Sequence, residues 1–157
     1  MSRIVRVTGG FVLAALALGA CGSDTAGIGG AQKANAQRAD QICLDAQDKI
    51  GRAELGSDAA MQRDVIRDAS DKLMALKAPS ENENTWQLLI QNVNNLWISL
   101  DDVAQARDPN VNDQPRATRA LTRIRDLNGL VMKYADQYGA KECANGFGGT
   151  RSRRSSS

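Results

Sequence analysis

Between Trp86 and Ala104 the apolar residues recur every three or four positions: Trp86, Leu89, Ile90, Val93, Leu96, Trp97, Leu100, Val103 and Ala104. That period gathers them on one side of an α-helix and is wrong for a strand. A stripe this long commits the segment to a helix of about five turns, and one such helix must bury its face against others. Ser80 followed three residues later by Glu83 fits a capping box at its start. The run "DPNVNDQP", residues 108–115, punctuates its far end near Ala106.

Three further stretches show the same period. Ala39, Ile42, Cys43, Ala46, Ile50 and Ala53 form the first face, and Gly56 suits its C-terminal stop. Met61, Val65, Ala69, Leu73 and Leu76 form the second, over about residues 58–76, with Ile66 and Met74 flanking and Pro79 blocking continuation. The fourth starts near residues 113–115 and carries Ala117, Ala120, Leu121, Ile124, Leu127, Val131, Tyr134 and Tyr138, with Gly139 able to terminate it. No run alternates with period two. Four amphipathic helices with short connections predict an all-α fold, an antiparallel up-down-up-down four-helix bundle.

The N-terminus has a different character. Arg3 and Arg6 precede the apolar stretch "FVLAALALGA", residues 11–20. Ten helical residues reach only ~15 Å, about half a hydrocarbon core, so this is a secretory signal pattern rather than a span. Leu18-Gly19-Ala20-Cys21 then resembles a bacterial lipobox, and the whole signal is similar to that of a bacterial lipoprotein. The resemblance implies a diacylglyceryl group on the Cys21 thiol, cleavage before Cys21, and acyl chains of the palmitate kind on the new terminus. Two or three acyl chains anchor stably, whereas one is marginal. The expected organisation is therefore a removed signal at 1–20, a lipidated flexible tether at 21–32, a helical domain at 33–145, and a disordered basic and serine-rich tail at 146–157. In layout the chain also resembles the small secreted helical lipoproteins of actinobacteria, many without an assigned role, and some phage lipoproteins that exclude superinfection.

With Cys21 assigned to lipid, Cys43 and Cys143 remain. In an exported chain an even remainder reads as a disulfide, the alternative being two buried thiols. In an antiparallel bundle the end of the fourth helix lies beside the N-terminal half of the first, which is where these two cysteines sit. The expected domain is thus a bundle clipped by one bridge, Cys43–Cys143.

Charge excludes more than it assigns. Loss of Arg3 and Arg6 leaves 18 basic against 18 acidic residues, so the mature chain is formally neutral and its composition gives no reason to expect nucleic acid. Three of the cations, Arg151, Arg153 and Arg154, lie in the tail. Histidine is absent, which removes the commonest general base and metal ligand. No cofactor and no metal site is expected. Asp64, Asp68 and Asp71 share a face with Arg63 and Arg67 interleaved, and read as a solvated helix face, with Arg67–Asp71 an i,i+4 pair. The adjacent Asp101 and Asp102 point in different directions on a helix. Residues 108–113 begin like a calcium loop, but Asp113 stands where glycine is needed and Arg119 where a bidentate glutamate is needed, so a turn with a helix cap is expected.

Two sets of residues are candidate contacts for a ligand or partner. Arg116, Arg119 and Arg123 form a basic stripe that could receive an anionic partner or pair with the acidic faces of the first and second helices. Trp86 and Trp97 lie eleven residues apart on one face and could line a pocket or serve only the core. The sequence thus points to an anchored envelope lipoprotein on the extracytoplasmic face of a membrane. It would be a non-enzymatic binding module for an envelope protein or cell-wall component, or alternatively a carrier of a lipid or small apolar ligand. A hydrolase relying on carboxylates alone is disfavoured.

Overall fold

A computed structural model describes residues 29–52, 59–78, 80 and 82–147. Four helices account for nearly all of them: α1 Gly30–Arg52, α2 Ala59–Ala75, α3 Glu83–Ala106 and α4 Gln114–Tyr138. A single 3-10 turn, Cys143–Asn145, follows. Among the described residues there is no strand, and the fold is the expected antiparallel helical bundle. No described helix is long and apolar enough to cross a membrane.

The helix α3 is the middle element, packed against α2 on one side and α4 on the other. Its buried arc is wider than the sequence stripe for that reason. Trp86, Leu89, Val93, Leu96, Leu100 and Val103 are in the core, joined by Asn92, Ser99 and Ala106. Asn92 and Ser99 satisfy their side chains on the carbonyls of Leu88 and Asn95, one turn back, so they enter the interior without orphaned groups. Ile90, Trp97 and Ala104 fall at the edge of the arc, half-buried. On α2 the expected centre shifts in the same way: Ile66, Ala69, Ser70 and Leu73 are buried, whereas Met74 is 48 % exposed.

The helix ends follow local chemistry. Asp113 caps α4 by accepting the Arg116 N–H at 2.9 Å, and Pro115 occupies the first turn, where no donor is needed. Gly139 ends α4 in the left-handed region, at φ 92°. The capping box expected at Ser80–Glu83 does not form. Asn82 precedes the helix in the left-handed region, at φ 60°, and its side chain makes no cap bond. Its amide donates instead to Gln32 Oε1 of α1 at 2.9 Å. The stop expected at Gly56 lies outside the described residues.

The inner face of α1 is built from small residues: Ala36, Ala39, Cys43 and Ala46. Alanines bury little apolar area, so hydrophobic burial alone holds this helix weakly. Polar and covalent ties compensate. Gln32 Nε2 donates to the Tyr138 carbonyl at 2.8 Å, and Asn35 Nδ2 donates to the Tyr138 hydroxyl at 2.9 Å. Both side chains are buried. The helix therefore begins at Gly30, inside the segment expected to be tether, because Gln32 is needed in this network.

Beyond Gly139 the chain turns back and runs beside α1 as a strap. Asp40 Oδ1 accepts the Glu142 N–H at 2.7 Å, and Gln47 Nε2 donates to the carbonyls of Glu142 and Gly146 at 2.7 and 3.1 Å. The Cys43–Cys143 disulfide lies between these ties, with a Cα–Cα distance of 5.1 Å, and both cysteines are fully buried. The strap ends against α4, where the Phe147 N–H donates to Asn128 Oδ1 at 2.9 Å. Phe147 and Gly146 are buried, so the expected boundary between domain and tail, after residue 145, falls too early. A large aromatic side chain has a place to go between α2, α3 and α4, and the strap carries it there.

Candidate functional site

The expected site residues do not converge. Cys21 and the tail arginines Arg151, Arg153 and Arg154 lie outside the described residues. Trp86 is 1 % exposed and packs on Tyr138 with ring centroids 4.9 Å apart, so it serves the core. Trp97 sits at the surface, half-buried, with its Nε1–H donated to Asn94 and the Arg67 guanidinium 5.5 Å above its ring. Arg67 thus covers Trp97 rather than taking the expected place beside Asp71. Period does not separate the two tryptophans; the placement of α2 and α4 around α3 does. Eleven residues carry a straight helix ~20° beyond three full turns, and α3 has one edge in the core and the next in water.

The arginine stripe also divides. Arg116 Nη2 reaches Gln105 Oε1 at 3.1 Å and pairs with Asp102 Oδ1 at 2.7 Å, and the hydrogen bond to Asp102 raises the guanidinium's affinity for its proton. Its partner is on α3, not on α1 or α2 as expected, because α3 is the neighbour that α4 packs against. Arg119 and Arg123 are exposed, and among the described residues no carboxylate pairs with them. Asp101 turns the other way and takes Arg63 of α2 at 2.9 Å. Adjacent carboxylates thus tie α3 to its two neighbours. Asp68 binds Lys72 at 2.8 Å and Lys49 of α1 at 3.3 Å, and the hydrogen bond from Lys72 holds its carboxyl below the usual range. Asp64 lies against Arg63, whose hydrogen bond lowers it likewise. Asp108 accepts the Asn110 N–H at 2.8 Å, an Asx turn in the α3–α4 connection.

A cavity of about 230 Å³ opens between α2, α3, α4 and the strap. Ile66, Leu96, Leu100 and Phe147, all buried, line its interior. Gln62, Leu121, Ile124, Arg125 and Asn128 line the rest. Leu121 was expected in the core, yet it is 43 % exposed, because it stands at the cavity edge instead of against a neighbouring helix. Arg125 is exposed, and among the described residues no carboxylate pairs with it. Sequence periodicity had no access to this site, since it needs Phe147 folded back on Asn128. The one available signal was the lone aromatic within "GFGG".

Comparison with protein-family models, with curated proteins and with solved structures finds no match.

Proposed function

We propose that this protein is an exported lipoprotein of a bacterial envelope, moored through Cys21 on the extracytoplasmic face of a membrane, whose helical bundle is a non-enzymatic binding module. The observation that carries the reading is the fully buried Cys43–Cys143 bridge. Structural disulfides belong to oxidising compartments, and the chain before Cys21 has the pattern of an export signal. The carboxylates support a binding rather than a hydrolytic role. Asp64, Asp68, Asp101 and Asp102 are engaged with lysine and arginine, whereas acid–base catalysis needs carboxyls facing one cleft, one of them desolvated. Arg119 and Arg123, exposed on α4, suit an anionic envelope protein or wall polymer as partner.

The cavity favours a second reading, a carrier of a small apolar or lipid-like ligand. Its walls are a better candidate for that role than the tryptophan pair.

Intact mass of the protein extracted from its membrane tests the first reading. The expected species begins at Cys21, carries acyl mass on it, and becomes heavier by a pair of hydrogens on reduction. A Cys21→Ser variant that matured and partitioned into detergent like the parent would overturn the anchor. Crosslinking in the native membrane then identifies the partner.

A further inference from the structure

The cavity has a chemical asymmetry. Its interior is hydrocarbon and aromatic, from Ile66, Leu96, Leu100 and Phe147. Its edge carries the guanidinium of Arg125, with no carboxylate partner among the described residues, and the apolar side chain of Leu121 exposed beside it. An apolar recess with a cation at the mouth is complementary to an amphiphile with one negative group.

We propose that this cavity binds a free, single-chain anionic amphiphile, with its chain against Leu96, Leu100 and Phe147 and its anionic group on Arg125. The proposal rests on the reading of the bundle as a carrier of a small ligand, and the anchor enters only in the argument from position. Size limits the occupant. At ~30 Å³ per molecule of liquid water the cavity has room for about seven or eight waters, and a methylene takes a similar volume. A chain of about eight carbons fits within it. Position favours a free ligand. Gly30, which follows the tether, and Tyr138 lie at the same end of the bundle, joined through Gln32. Ile124 and Leu121 are fourteen or more residues from Tyr138, ~21 Å or more along α4. The cavity therefore sits toward the end away from the tether.

Calorimetric titration of the full chain carrying Cys21→Ser tests this with octanoate and octanol as probes. Octanoate is expected to bind at one saturable site, roughly fivefold more tightly than octanol, the order of advantage a partly exposed ion pair gives. Arg125→Gln should remove the preference of octanoate over octanol. Leu121→Trp, filling the mouth, should abolish binding of both probes, with circular dichroism confirming the helical fold. Three results overturn the proposal: no saturable octanoate binding by the folded parent, a preference that survives Arg125→Gln, or unaltered binding in Leu121→Trp. Binding to phosphatidylglycerol vesicles without binding to octanoate would also overturn it in favour of a membrane surface. The mass of Cys21 in the native protein is measured separately, so failure here leaves the anchor standing and failure there leaves the cavity standing.

Discussion

Ser70 is fully buried in α2, and its hydroxyl has no hydrogen-bond partner among the described residues. Removing an unsatisfied buried group recovers its desolvation penalty. Ser70→Ala should therefore stabilise the protein by about 1 kcal/mol, read as a higher urea midpoint at unchanged slope. Tyr138 presents the reverse case. Its hydroxyl accepts from Asn35, which is also buried, so Tyr138→Phe strands an amide and should cost about 1–3 kcal/mol. The same residue makes stability depend on alkaline pH. Burial pushes the Tyr138 hydroxyl above its ordinary range, and the Asn35 hydrogen bond offsets part of that rise. The unfolded tyrosine loses its proton near pH ~10, while the folded one keeps it at higher pH. In that window the native state holds the extra proton, so stability falls as pH rises through it. Denaturation at about pH 9 and about pH 11 should show this fall in the parent and a smaller one in Tyr138→Phe. Gly146 has φ 70° and ψ 175°, a glycine region, and a Cβ there would lie 2.8 Å from the Asn128 amide. Gly146→Ala should cost about 1–3 kcal/mol and loosen the strap locally, seen as faster amide exchange at Phe147.

The helix α1 and the strap depend on each other. One has an inner face of alanines, and the other is too short to hold any conformation alone. Asp40, Gln47 and the disulfide join them along about two turns of α1. The bridge closes a sequence separation of 100 residues. For a loop of about that size, chain entropy gives ~4–5 kcal/mol. Reduction, or Cys143→Ser, should lower stability by up to that amount and release residues 140–147 first. Denaturation with and without reductant measures the former, and hydrogen exchange the latter. Helices α2, α3 and α4 bury larger side chains, Leu73, Trp86, Leu96 and Val131 among them, and should retain exchange protection longer than α1.

At the scale of the molecule, antiparallel packing puts the start of α1, the end of α2, the start of α3 and the end of α4 at one end. Moored through Cys21, the bundle would present that end to the lipid. An amine-reactive probe on the headgroups should then label Lys33 and Lys77, both exposed at that end, before Lys49, which lies near the other end of α1. Equal labelling of all three would argue against this orientation. The cavity, toward the far end, would face away from the bilayer.

Periodicity was enough to establish four helices, their order and their antiparallel packing, because the hydrophobic stripe of each is a local property of consecutive residues. Composition at Asp113, Pro115 and Gly139 was enough to place the ends of α4, since caps act within one turn. The pairing of Cys43 with Cys143 followed from the topology of the bundle together with the cysteine count. Which edge of each stripe is buried did not follow: Trp86 and Trp97 share a period, and only the positions of α2 and α4 around α3 put one in the core and the other under Arg67. The strap was invisible for a related reason. Asp40, Gln47 and Asn128 look like ordinary polar surface until chain about 20 to 100 residues away folds back to use their hydrogen bonds. A cavity is the space that packed elements fail to fill, so it belongs to their relative placement and to no segment of the sequence.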